Sequence, residues 1–354
     1  MTSDAFGAGS RPSLPEPPEP RAHVGLVLSG GGAKGAYQAG VAACLARHGL
    51  ELRMICGASI GALNGAILAC EKSLKDGAQR LLAVWREVGA VAGRAEAPNP
   101  IPPGGPPGPP SSGAWEPPDP SALGQLGSLI SNFASPVLRH GFIEDLIVRH
   151  VGIAELRTGP RFYVSAYPAA GYDLVVPSWG WLLDVIRAPF TTEGRWLCVN
   201  RLAASQVHHA VLASASLPPV LPPREVAGIR YRDGGLFDNL PVGPIAADPD
   251  CRFVVVVHLQ QGSLWNARDY PGLEVIEIRP TRPLADPGPL GWANGMLDFS
   301  PERIEWLIRR GDEDAEDALK PLRAALEATD HLRTSRSLAV EAADALDREF
   351  PLDA

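Results

Sequence analysis

Apolar positions in the first part of the chain come in short blocks that stop at glycine. Residues 23–28 (HVGLVL) form one such block before a glycine triplet, the pattern of a parallel strand buried on both faces. A helix rich in small apolar residues is predicted over 36–47. Residues 53–56 (RMIC) are a second short strand, again ended by glycine, and a helix is expected over 60–70. In that helix Ile60, Leu63, Ile67 and Cys70 recur at steps of three and four, which makes one buried stripe. Two successive strand–glycine–helix units predict an α/β fold: a mostly parallel central sheet flanked by helices.

Further along, residues 76–88 read as a helix, and 162–166 and 253–257 as strands, the latter central. A weaker strand is expected at 273–278. From residue 302 onward, two helical stretches of alternating charge are predicted, with solvated faces. Residues 1–22 read as a disordered Pro-rich lead. Residues 97–120 hold eleven prolines and several glycines, which suit neither ladder nor helix. Because strand and helix signals resume on both sides, this stretch is read as a surface insertion. The resulting organisation is a lead over 1–22, one domain over 23–320 with its motifs in 24–247, and a helical extension over 321–354.

Composition narrows the classes. The chain has 354 residues, 45% hydrophobic and 20% charged, so a sizeable core is available. The 40 acidic and 32 basic residues give a net charge of −8, which argues against a nucleic-acid binder. Five cysteines, an odd number without a CxxC pair, argue against a disulfide framework or a zinc site and for a reducing cytosol. Neither a secretory signal nor an apolar run long enough to span a bilayer is found. The expected place is the cytoplasm, with peripheral membrane contact left open.

Three segments carry chemistry. Ser29-Gly30-Gly31-Gly32-Ala33-Lys34-Gly35 follows the first strand and opens a helix, so several N–H groups can converge on an anion. A P-loop would need Ser or Thr after Lys34, where Gly35 stands, and a dinucleotide fingerprint would want an acidic residue near Cys56. An oxyanion hole remains open to the segment. Gly57-Ala58-Ser59-Ile60-Gly61 matches G-x-S-x-G between a strand and a helix, the setting of a nucleophile elbow. The competing reading makes Ser59 a plain N-cap of the following helix. The third segment, Tyr231-Arg232-Asp233-Gly234-Gly235-Leu236-Phe237-Asp238-Asn239-Leu240-Pro241, would alone be a turn.

Together and in this order, the three segments resemble the patatin-like phospholipase family. Residues 213–219 (ASASLPP), Asp298-Phe299-Ser300 and Leu307-Ile308-Arg309-Arg310-Gly311 extend the likeness, which runs from about residue 24 to about residue 319. The resemblance implies a patatin-like three-layer hydrolase that cleaves carboxylic esters of phospholipids or related lipids through an acyl-enzyme. It implies Ser59 as nucleophile and Asp233 as its partner in a Ser–Asp dyad. Gly30, Gly31, Gly32 and Gly35 match the oxyanion loop, Gly57 and Gly61 the elbow, and Gly234 and Gly235 the D-G-G motif. Lys34 is the basic residue the family allows, whereas Leu221 stands where Phe is frequent. No metal or organic cofactor is implied, and the expected partner is a lipid substrate, met by transient contact with a membrane surface.

Two alternatives stay open: a conventional Ser–His–Asp esterase, and a non-catalytic lipid-binding or scaffolding protein. Of eight histidines, His258 at the end of strand 253–257 is the candidate for a triad, but is expected to be a satisfied strand-end residue. His208 and His209 are adjacent, not at the i, i+4 spacing that sets two metal ligands on one helix face. Trp179, Trp181, Leu182, Leu183, Val185 and Ile186 form an apolar patch, read first as core and second as a lid or interfacial contact. Lys34 is expected at the surface, where its charge would suit an anionic headgroup.

Overall fold

A computed structural model describes residues 24–94, 141–170, 182, 186–187, 194–218, 221–262, 265–285 and 295–349. Side chains of the last helix are described to residue 321 and at five positions beyond it. The lead and the Pro-rich insertion lie outside these residues, as do Trp179, Trp181, Leu183 and Val185 of the apolar patch. Of the rest of that patch, Leu182 is half-buried and Ile186 exposed.

The first two predicted units are present. Strand β1 (Val24–Leu28) leads through a 3-10 turn (Gly32–Gly35) into α1 (Ala36–Arg47), and β2 (Leu52–Gly57) leads into α2 (Ile60–Ala69). The chain continues through α3 (Leu74–Gly93), α4 (Phe142–His150), α5 (Ile153–Thr158) and β3 (Arg161–Pro168). Next come β4 (Arg195–Cys198), α6 (Ala204–Ser214), β5 (Arg224–Val226), β6 (Ile229–Asp233) and α7 (Gly243–Ala246). Strands β7 (Phe253–Val257) and β8 (Glu274–Ile278) and the long helix α8 (Pro301–Glu349) complete it.

One mixed sheet has the order β5-β6-β3-β2-β1-β7-β8, with β4 also paired to β3. Its centre, β3-β2-β1-β7-β8, is parallel throughout. Strands β4, β5 and β6 add an antiparallel flank that short-range patterning does not predict. Strand β7 is interior, as expected, although β1 rather than β7 stands nearer the middle.

Alternation along the strands supplies two cores. Leu26, Leu28, Ile55, Val255 and Val257 face one side, where they meet α1, α2, α3, α6 and α8. Val27, Met54, Cys56, Val254 and Val256 face the other, against Leu240, Val242 and Ile245 around the short α7. Among the described residues the covering is therefore uneven: thick and helical on the first face, thin on the second.

Helix α8 replaces the two C-terminal stretches expected from the charge pattern. It runs unbroken for 49 residues and carries Pro321 in its interior. It docks on α1 where glycines remove side chains from both surfaces. A Cβ on Gly40 would strike the Ile308 carbonyl, and one on Gly311 the Tyr37 carbonyl. Asp314 locks the contact by accepting from the Tyr37 hydroxyl at 3.1 Å and the Thr281 hydroxyl at 2.8 Å.

Candidate active site

The turn between β2 and α2 leaves only Ala58 and Ser59 to reverse the chain. Ser59 adopts φ 53° and ψ −123°, a region that costs a non-glycine residue about 1–3 kcal/mol. Among the described residues, Ala227 is the other non-glycine with positive φ. The flanking glycines are needed for space. A Cβ on Gly57 would strike the Gly61 carbonyl, and one on Gly61 would strike the Leu28 carbonyl at the end of β1. The Ser59 side chain makes no capping hydrogen bond to α2, so the plain N-cap reading fails. The Ser59 amide donates to Ser214 Oγ at 3.1 Å, which anchors the turn to α6.

Asp233 closes β6 and sits level with this turn. Gly57 pairs with Val164 and Asp233 pairs with Ala166, two residues further along β3. The carboxylate and the serine thus meet at one edge of the sheet, across β3. Asp233 is 2% exposed. Its Oδ1 accepts from the Gly235 amide at 2.8 Å, while Oδ2 is buried without a hydrogen bond of good geometry. The Ser59 hydroxyl is still close enough to favour the carboxylate form. Burial outweighs that help and the Gly235 amide, and lifts the Asp233 carboxyl to about 6. Gly234 is required here, because a Cβ would collide with the Ser165 carbonyl. At Gly235 a Cβ would press on Asp233 Oδ1 at 3.0 Å.

The glycine loop lies against the elbow. A Cβ on Gly30 would stand 2.9 Å from Ser59 Cβ. The Gly30 amide, however, donates to Asn239 Oδ1 at 3.0 Å. Of the four glycines expected to supply amides, this one is already committed, and its role is to hold the loop to the D-G-G segment. Gly32 has φ +59° and a Cβ there would enter the Met296 carbonyl, so the left-handed turn and the close approach both demand glycine. At Gly35 a Cβ would press on Trp85 at 2.9 Å; this position serves packing.

Behind the loop runs a buried polar chain that sequence reading missed. Gln38 Nε2 donates to the Ser29 carbonyl at 2.7 Å, and Asn64 Nδ2 to the Gly35 carbonyl at 3.0 Å and to Gln38 Oε1 at 2.8 Å. Trp85 Nε1 donates to Asn64 Oδ1 at 3.1 Å. These bonds tie the loop to α1, α2 and α3. Polar residues inside otherwise apolar helix stripes were the available signal. Lys34 departs from expectation: it is 3% exposed, and burial, with Arg303 nearby, lowers its ammonium to about 8.

Ser59 opens into an apolar cleft of about 840 Å³ including its mouth. Leu63, Ile67, Val88, Leu146, Leu221 and Phe299 contribute to its wall. Among the described residues lining it there is no histidine. His258 follows β7, edge-on to Trp265 and 3.1 Å from Glu277 Oε2 without good hydrogen-bond alignment. Burial, then Arg279, lowers its ring to about 4.

This is an α/β protein whose strained serine, buried carboxylate and glycine loop gather over an apolar cleft at one sheet edge. The chain belongs to the patatin-like phospholipase family, whose model matches residues 26–246. It is similar to the lysophospholipase NTE1 of Eremothecium gossypii, 25% identical over 225 residues, covering 62% of this chain and 11% of that protein. It is also similar to that of Cryptococcus neoformans, 24% identical over 250 residues, covering 70% and 12%. The matches thus span about a tenth of these relatives' length. Among solved structures, VipD of Legionella pneumophila aligns over 84% of this chain and 67% of its own, at 15% identity and a TM-score of 0.41. The type III effector ExoU aligns over 86% and 53%, at 14% identity and 0.35.

Proposed function

We propose that the protein is a lipid acyl hydrolase that cleaves carboxylic esters with a Ser59–Asp233 dyad. The observation that carries this reading is the strained Ser59 in the wall of an apolar cleft, with a buried Asp233 oxygen beside it. An apolar cleft suits an acyl chain, and the family and its lysophospholipase relatives support a lipid ester as substrate.

In the proposed cycle, Ser59 Oγ attacks the ester carbonyl while Asp233 Oδ2 takes the hydroxyl proton. The amides of Gly31 and Gly32 hold the oxyanion. The C–O bond to the alcohol breaks, the alcohol leaves with the proton from Asp233, and Ser59 keeps the acyl group. Water then gives a proton to Asp233 and attacks the acyl-enzyme, and the fatty acid leaves as the serine recovers its proton. A carboxyl near 6 is ionised at neutral pH yet a better base than an ordinary aspartate.

The test is labelling with a fluorophosphonate probe alongside turnover of a lysophospholipid. Ser59→Ala should fold, lose labelling and lose turnover. A folded Ser59→Ala protein that still hydrolyses lipid esters would overturn the reading.

A further inference from the structure

A second cluster, unrelated to the proposed chemistry, lies between the end of α1 and the middle of α8. Cys44 and His48 are one helical turn apart, and the His48 amide donates to the Cys44 carbonyl at 3.2 Å. Their side chains therefore share a face, as ligands at i and i+4 do. Glu316 approaches from α8. Its Oε2 lies 2.9 Å from His48 Nε2 and accepts from Cys44 Sγ at 3.5 Å. Among the described residues, this is where a thiol, an imidazole and a carboxylate converge with every ligand atom within 4.8 Å of the others.

We propose that Cys44, His48 and Glu316 form a binding site for a zinc-type divalent cation that clips α8 to α1. The donor set of one sulfur, one nitrogen and one oxygen suits a borderline-soft metal, not Ca²⁺ or Mg²⁺, which want oxygen alone. The spacing fits. Tetrahedral zinc, with bonds of about 2.0–2.3 Å, sets its ligand atoms about 3.3–3.6 Å apart. The sulfur–oxygen separation already matches, and the nitrogen–oxygen pair needs to open by about half an ångström. On binding, the metal replaces the thiol proton of Cys44, and the His48 ring carries its proton on Nδ1. A thiolate and a carboxylate then balance the two charges of the ion.

The surroundings are rigid on one side and open on the other. Cys44 is fully buried, whereas the His48 and Glu316 side chains are 22% and 33% exposed, which provides an entry path and room for a water as fourth ligand. The Gly40–Ile308, Gly311–Tyr37 and Tyr37–Asp314 contacts fix the two helices beside the site. Arg47 lies 3.9 Å from Glu316 but is drawn to Asp312 at 2.7 Å. Along helix α1 the cluster lies about 12–18 Å from the glycine loop at 1.5 Å per residue, so the role is structural.

The experiment treats the full chain with a chelator and titrates it with Co²⁺, then Zn²⁺. One equivalent of Co²⁺ should produce a thiolate-to-metal charge-transfer band, and Zn²⁺ should displace it and raise the Tm. Cys44→Ser should remove the band. His48→Gln and Glu316→Gln, at half-exposed positions that tolerate change, should weaken Zn²⁺ binding by about 10- to 100-fold or more. They carry the test should Cys44→Ser fail to fold. The proposal is overturned by absence of the band in the wild-type chain, by its survival in Cys44→Ser, or by wild-type affinity in both other variants. Labelling of Ser59 reports on the hydrolase reading separately.

Discussion

Replacing Asp233 by Asn separates what this carboxylate does for chemistry from what it costs the fold. Its pKa rises from 3.8 to about 6, chiefly through burial. A shift of about two units, at 1.36 kcal/mol each, is about 3 kcal/mol. The folded chain holds this proton more tightly than the unfolded chain does. The group's stabilising contribution is therefore complete below about pH 4 and is lost as the pH rises through about 6. At neutral pH the wild-type protein thus carries a charged, buried carboxylate that opposes folding by about 3 kcal/mol. Asparagine keeps an oxygen for the Gly235 amide and removes the charge. The variant should be more stable than wild type at neutral pH by up to about 3 kcal/mol, and this advantage should vanish near pH 4. Its turnover should fall by about 10²- to 10⁴-fold, the usual loss when a general base is removed. The wild-type rate should drop about tenfold per pH unit below about 6, and the variant should lack that limb. Urea unfolding across the pH range, paired with initial rates on a short-chain ester, measures both. An Asp233→Asn protein no more stable than wild type at neutral pH, or one as active, would refute the reasoning.

Two further outcomes follow from the cleft and from His258. Leu146 is buried in the cleft wall, so Leu146→Trp should lower turnover of long-chain esters well beyond that of short-chain ones; equal losses in a chain-length series would remove the acyl chain from this cleft. His258→Gln should keep fluorophosphonate labelling and most turnover, because the ring packs against Trp265 and Glu277 and does not line the cleft that Ser59 lines. If it folded yet were as inactive as Ser59→Ala, a conventional triad would replace the dyad.

Much of the fold was legible because it rests on local rules. An apolar run ended by glycine predicts β1 and β2 to within a residue or two, and the three-and-four stripe of Ile60, Leu63 and Ile67 predicts α2. The valine-rich run of β7 reads as a strand, and four of its five residues are buried. The elbow was legible too, since the glycines of G-x-S-x-G act on neighbours a few residues away in sequence. The C-terminal region differs: alternating charge predicts two helical stretches, yet α8 is one helix with Pro321 in its interior. The antiparallel flank escaped because β4, β5 and β6 are three to five residues long, too short for a period to register.

Within the site, sequence by itself determined which groups are available: a serine on a glycine-flanked turn, an aspartate before two glycines, a run of amides. Tertiary structure decided how they are used. Only pairing of β6 with β3 brings Asp233 level with Ser59, and only its burial there moves its pKa. Only the fold shows that the Gly30 amide is spent on Asn239, 209 residues away. Only helix docking turns Lys34 inward and sets Glu316 beside Cys44 and His48. Backbone preference is a property of neighbouring residues, so it can be read along the chain. Desolvation and hydrogen-bond partnership depend on groups that are distant in sequence, and they come into being when the core closes.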